Sequence, residues 1–240
     1  MTPSNIGLLL DHKDFLAVNK PAGILSIPDR YNKELPSVFS LLAGQTNEIF
    51  VVHRIDRDTS GVLCFAKNPE SHKFLNDQFA ERKIKKEYRC IVEGNPSSDE
   101  FISDAPLRQQ AAHPGRMEVH PKGKPSLSHF IVLKRFRHFA LLAAFPSTGR
   151  THQLRVHLSH AGHPLVADPW YGYRKELTIN DIKKNARLDR DGEPPRPLLS
   201  RPALHAQKLE FMLFDVLFAI EAPLPKDMHA TLAQLEKWDR

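Results

Sequence analysis

Cysteine is scarce: Cys64 and Cys90 are the only two in 240 residues, and both fall inside expected strands. That argues against a disulfide scaffold and for a reducing, cytoplasmic setting. Long apolar runs are missing as well. One of the longest, FALLAAF at 139–145, falls far short of the roughly 20 residues a membrane-spanning helix needs. The apolar patch at 6–10 has no basic flank before it, so no secretory signal is expected. There is no GxxxxGK, no GxGxxG and no GxSxG. Their absence argues against a P-loop NTPase, a dinucleotide-dependent oxidoreductase and an α/β-hydrolase. Acid is in deficit: 28 Asp and Glu face 34 Lys and Arg, for a net charge of +6. The excess suits a polyanion such as RNA, DNA or an anionic membrane, although a generic basic enzyme surface would look the same.

What is present suits a globular protein, with 41% hydrophobic residues and a length sufficient to bury a core. A strand at 13–20 stops at Pro21, and a short helix is expected at 37–42, then a strand at 49–53. Gly61 separates a charged loop from a strand at 62–66. Asn68-Pro69-Glu70 is a helix start, with a cap, a proline at the first position and an acid in the first turn. That helix runs to about Arg82 with Leu75 and Phe79 inward. Tyr88, Cys90 and Val92 alternate as a strand would, and two more strands follow at 128–136 and 138–145. A helix is expected at 151–161 and a strand at 209–220. The closing helix, 226–239, carries Met228, Leu232, Leu235 and Trp238 on one face. Residues 173–198, polar and proline-rich toward their end, read as a mobile insertion. One α+β domain over 1–240 is the economical organisation.

Three stretches could carry chemistry. In HRIDRDTSGVLCFAKN, 53–68, Asp56 lies between Arg54 and Arg57. A carboxylate held between two guanidinium groups stays ionised, fit for nucleophilic or electrostatic work rather than for general-acid work. A solvated salt-bridge cluster would show the same pattern. In STGRTHQLRVHLSHAGHPLVADPWYG, 147–172, His152, His157, His160 and His163 suggest a metal at first sight. Their spacing does not place a set on one helix face and no HExxH accompanies them, so packed or hydrogen-bonding histidines are expected and no metal. Arg155 sits in an apolar context and requires an anionic partner, for which a carboxylate from a distant loop is natural. In KIKKEYRC, 83–90, lysines could track phosphates while Tyr88 faces a pocket or simply the core.

Together these stretches resemble the RluA-type pseudouridine synthases. HRIDRDTSGVLCFAK is similar to the family's HRLDxxTSG motif, KKEYRCIVEG to its KxYxAxVxG strand, and TGRTHQLRVHLSHAGHPLVADPWYG to GRTHQIRVHLxxxGHPIxGDxxYG. Weaker echoes are VNKPAGILSIP, GKPSLSHF at 123–130 and RPALHAQKLEF at 201–211. The order and spacing agree across about 13–225. Departures are Ala167-Asp168 in place of the family's GD, and Cys90 in place of its alanine.

The resemblance implies an α+β fold, a mostly antiparallel mixed sheet with flanking helices and loops around a central RNA-binding cleft. It implies RNA uridine isomerisation without cofactor or metal, with Asp56 catalytic, Tyr88 stacking on the target base and Arg155 pairing with the aspartate. The aspartate is drawn as a nucleophile at the base, as one at the sugar, or as a base toward the ribose 2′ proton. Arg54, Ile55, Arg57, Lys86, Arg150, His152, Gln153 and Leu154 are the expected substrate-binding residues, with basic residues at 82–89 and 134–137 on the phosphates. Ribosomal RNA is the first expected substrate and transfer RNA the second, acted on by a monomer off the membrane. A strand beginning near residue 15 leaves no room for a separate amino-terminal RNA-binding domain. A non-catalytic RNA-binding or ribosome-assembly protein on the same fold is the alternative.

Overall fold

The computed structural model describes residues 6–44, 48–183 and 196–239. In chain order the elements begin with β1 (Gly7–Asp11), β2 (Phe15–Lys20), α1 (Val38–Ala43), β3 (Phe50–Val51), β4 (Ser60–Ala66) and α2 (Pro69–Ala80). Then come β5 (Lys85–Glu93), β6 (Glu100–Ser103), β7 (Leu107–Gln109), β8 (Met117–Val119), β9 (Ser128–Arg135) and β10 (Phe139–Pro146). The remainder is α3 (Gln153–His160), α4 (Ile179–Ile182), β11 (Leu204–Leu213), β12 (Val216–Glu221) and α5 (Lys226–Trp238). Two compact units form. The first takes the chain to Tyr88 and returns with His205–Pro223, and the second takes Arg89–Leu204 and the chain from Leu224 onward.

In the first unit β2 pairs antiparallel with both β1 and β4, β3 also pairs with β4, and β12 pairs with β11. One parallel pairing, β4 with β11, makes the sheet mixed. β2 and β4 are buried on both faces, which is why VLCFA reads as an unbroken apolar run rather than an alternating one. Phe15, Ala17, Cys64 and Ala66 face Leu75 of α2 and Phe211, while Leu16, Val18, Leu63 and Phe65 face Ile24 and Val38. α2 starts as its sequence dictates, with the Asn68 side chain accepting from Ser71 N at 2.8 Å and Pro69 at the first turn.

Three expectations are corrected in this unit. Gly61 does not precede the strand; it lies inside β4 at φ +116°, where an added Cβ would sit 2.1 Å from the Ala206 carbonyl oxygen of β11. Only glycine lets the two backbones approach so closely. The expected strand at 209–220 is instead a hairpin. Phe214 and Asp215 both hold positive φ (48° and 65°), as a two-residue turn between right-twisted strands requires. The strand expected at 49–53 is shorter, Phe50–Val51.

In the second unit β9 pairs antiparallel with β10 and β6, and β7 with β8 forms a separate ribbon. Its core gathers Ile91, Phe139, Val166, Leu177, Leu199, Met228 and Leu235. α3 begins at Gln153, because His152 holds φ 53° and is off the helix. Trp238 is turned outward from α5 rather than inward, with the Lys183 ammonium over its ring at 4.1 Å. The flanks of the expected insertion are fixed, since Leu177 N donates to Leu199 O at 2.8 Å and α4 forms at 179–182. Residues 184–195 of that insertion lie outside the described residues.

Candidate active site

The Asp56 loop is anchored from within its own unit. β2 ends at Lys20, paired with Gly61 across β4. The even positions of that strand, Leu16 and Val18, point into a core, and alternation sends Lys20 the same way. Its side chain is fully buried, and the ammonium donates to the carbonyls of Pro21 (3.0 Å), Ile24 (2.7 Å) and Arg57 (2.8 Å). Such a charge is tolerable in a protein interior only with its hydrogens engaged. On the other side of Asp56, the Ser26 hydroxyl donates to Ile55 O at 2.7 Å and accepts from Ile55 N at 3.2 Å. Gly23 N donates to Arg57 O at 2.9 Å, and Thr59 N to Asp56 O at 3.1 Å. The residues on either side of Asp56 are thus tied to the 20–26 segment, and the half-buried Asp56 is presented on a loop with little freedom.

Asp56 is not clamped by its neighbours as the sequence suggested. Among the described residues no ion pair joins Arg54 or Arg57 to Asp56 or Asp58. Arg57 Nε instead donates to Gly23 O at 3.2 Å, and both arginines are exposed. Ile55 is buried at the loop base. The strand after the loop is held by Ser60 Oγ against His205 Nδ1 at 2.9 Å, parallel pairing having brought the two side by side.

His53, just before the loop, accepts from Cys64 N through Nε2 at 2.9 Å and stacks on Phe79. Burial, with a smaller push from the Lys86 charge, lowers its pKa to about 3, so the ring is neutral. Lys86 itself is pulled down to about 8 by burial and then by Arg82. Tyr88, half-buried in β5, belongs to this unit too. The sequence pattern therefore collects Lys86, Tyr88 and the Asp56 loop in one unit.

The second unit holds Arg155. Its Nε and Nη2 form a fork on the Asp168 carboxylate at 2.7 and 2.8 Å, both side chains buried. Asp168 also accepts from Trp170 N and Tyr171 N, and the guanidinium lies over both rings, 5.5 and 5.0 Å from their centroids. Asp168, 13 residues on in the chain, is thus an anionic partner of the buried Arg155. Position 167 explains the family's glycine there, because Ala167 holds φ 59°.

Other expected contacts are engaged inside the protein. Gln153 is buried and accepts from Thr148 Oγ1 and Arg150 N while donating to Leu127 O and Ser128 Oγ, so its amide is a latch for the 148–153 turn. Leu154 is buried, Arg150 Nε donates to Pro125 O, and His152 Nδ1 meets Tyr171 Oη at 2.9 Å. Of the basic turn, Lys134 pairs with Glu236 and Arg135 with Asp99. His157 bonds Ser128 and Ala105, burial lowering its pKa, and His163 contacts Glu93 O. Among the described residues no three His, Cys, Asp or Glu side chains gather as a metal set.

Lys20 and Ser26 went unread in the sequence, although strand parity places Lys20 inward. Nothing in VNKPAGILSIP marks Ser26.

Residues 14–160 match the family described as RNA pseudouridylate synthase. The chain is 34% identical over 245 residues to an uncharacterized RNA pseudouridine synthase of Bacillus subtilis (98% of this chain, 74% of that one). It is 34% identical to the ribosomal large subunit pseudouridine synthase D of Buchnera aphidicola (97% and 75%). In fold it resembles the solved human RNA pseudouridylate synthase domain containing 4, with a TM-score of 0.76 at 21% identity over 96% of this chain and 93% of that one. Among the described residues no helix is long and apolar enough to cross a membrane.

Proposed function

Because the chain belongs to the RluA-type RNA pseudouridylate synthase family and so isomerises uridine to pseudouridine in RNA, we propose that Asp56 is its catalytic carboxylate. The observation that carries this assignment is the tethering of Ile55 and Arg57, the two neighbours of Asp56, by Ser26 and Lys20. A reacting group gains most from being held in place before the substrate arrives.

In the reaction the N1–C1′ bond of uridine breaks, the uracil turns, and a C5–C1′ bond forms. C5 gives up a proton and N1 carries one, so the product is an isomer and no cofactor is consumed. Each of the three routes open to the family's aspartate needs Asp56 as a carboxylate close to C1′, C2′ or the base. The target must first leave its stack. Tyr88 is assigned to hold the extruded base, Arg54 to brace the vacated space, and Arg57 and Lys86 to contact phosphate. Arg155 is assigned as counter-charge to Asp56 by its motif; its support in this chain is a guanidinium already buried and oriented by Asp168. Ribosomal RNA is the proposed substrate, in line with the name of the Buchnera relative, and transfer RNA the second choice.

Asp56→Asn should abolish pseudouridine formation in RNA from cells lacking the gene while leaving the melting temperature and RNA affinity near those of the wild type. Turnover at the wild-type rate would remove Asp56 from the chemistry. Unchanged RNA binding in a wild type that makes no pseudouridine would favour the non-catalytic alternative.

A further inference from the structure

Beside the Asp56 loop, inside the first unit, lies an open pocket of about 290 Å³. Its walls come from the 25–31 segment and from Arg54, Ile55 and Arg57. Asp56 does not line it. Arg54 and Arg57, two residues before and one residue after Asp56, therefore face this pocket.

The composition of the pocket is specific. Arg30, Arg54 and Arg57 contribute three guanidinium groups, and among the described residues none of the three is paired with a carboxylate. Ile27 and Pro28 supply an apolar wall. Tyr31 stands at the rim with 93% of its surface exposed, an unusual position for an aromatic ring with no packing role. The segment that carries it is fixed at both ends. The Asp29 carboxylate accepts from Tyr31 N at 2.8 Å and from Asn32 N at 2.9 Å, closing the turn. At the base, Ser26 is joined to Ile55 by two hydrogen bonds. Unpaired guanidinium groups beside an exposed ring and an apolar wall match a phosphate and a base on one strand, because the cations take the backbone while the ring takes the base face. The volume lies at the lower end of small-ligand sites, about 300 Å³, which suits one nucleotide rather than a duplex.

We propose that this pocket is a subsite for a nucleotide neighbouring the target uridine in single-stranded or opened RNA. Its base lies on Tyr31 and its phosphate on Arg30 and the outward side of the Arg54–Arg57 loop. The inference rests on the RNA-modifying reading above and deepens it: RNA is gripped on the flank of the catalytic loop as well as at the reacting uridine.

The test uses the full chain and fluorescein-labelled heptauridylate, with binding followed by anisotropy. Tyr31→Ala should weaken binding about tenfold, the loss expected for one base–aromatic stack, while Tyr31→Phe stays within twofold of the wild type. Arg30→Gln should weaken binding and make the salt dependence shallower by about one in log–log slope. With the RNA that carries the modified uridine, Tyr31→Ala should raise KM about tenfold and leave the single-turnover rate at saturation within twofold. Since Tyr31 is exposed, its truncation should leave the fold intact, which circular dichroism checks. Equal affinity of Tyr31→Ala and wild type for heptauridylate overturns the subsite, as does a wild type that fails to bind it. A wild type that makes no pseudouridine but shows the Tyr31 effect overturns the catalytic reading and leaves the subsite standing.

Discussion

The Lys20 ammonium donates to the carbonyl oxygen of Arg57 at 2.8 Å, joining the end of β2 to a loop 37 residues away. Two further carbonyls, of Pro21 and Ile24, share the same nitrogen. A charged group has become the knot between an otherwise apolar strand and the segment that bears Asp56.

Lys20→Met keeps the stem's volume and removes the donors. Three carbonyl groups, that of Ile24 buried and those of Pro21 and Arg57 part-buried, lose a partner, which should cost about 2–4 kcal/mol of stability. The single-turnover rate should fall at least tenfold while RNA affinity stays within a few-fold. Urea unfolding and rapid-quench kinetics check the two effects separately. A destabilised enzyme with a normal chemical step would show that the loop keeps its shape without the tether.

His53 links stability to acid. Its folded pKa is lowered to about 3 from an ordinary 6.5, so between those values the unfolded chain binds more protons than the folded one. Stability contributed by the neutral ring is therefore present above about pH 6.5 and is lost as pH falls toward 3. His53→Gln, which keeps an acceptor for Cys64 N, should flatten the dependence of the unfolding free energy on pH across that window. Parallel slopes for the two proteins between pH 6.5 and 4 would assign the acid sensitivity elsewhere.

The Arg155–Asp168 fork should show strong coupling. Asp168→Ala leaves a buried guanidinium without its carboxylate and should cost about 3–5 kcal/mol, with Arg155→Ala similar and the double variant well short of the sum. Arg155→Lys cannot reproduce the two-point contact and should retain only part of the stability. Thermal unfolding of the four proteins closes the cycle; additive losses would mean that the two side chains act independently.

Ala167→Gly should be stabilising by up to about 1 kcal/mol. The alanine occupies the left-handed region at φ 59°, a strain of roughly 1–2 kcal/mol that glycine avoids, offset in part by the greater freedom of glycine in the unfolded chain. A lower midpoint for the variant would show that the alanine methyl contributes more by packing than its backbone loses.

Where local chemistry decided the outcome, the sequence was readable. Asn68-Pro69 starts α2 where its capping chemistry demands, and the doubly apolar run at 62–66 became a central strand. The hairpin at 204–221 was hidden because its turn uses Phe214-Asp215, neither glycine nor asparagine, so the apolar run seemed continuous. His152 read as helical from its neighbours, yet its left-handed backbone is fixed by the tight turn before α3. The charge pattern around Asp56 reads as ion pairing in the sequence, yet among the described residues Arg57 turns to the Gly23 carbonyl and neither flanking arginine pairs with a carboxylate. What holds the loop, Lys20 and Ser26, comes from more than 25 residues away, and long-range tethers leave little local signature.

Cys64 and Cys90 each sit fully buried, one in either compact unit, with thiols that burial keeps protonated. A thiol in that state reacts only when its surroundings open. The protein thus carries two native chronometers. In a pulse of alkylating reagent, modification at position 64 times the breathing of the unit bearing Asp56, and modification at position 90 times that of the unit bearing Arg155. No engineered probe is needed to compare the two lifetimes, with or without RNA bound.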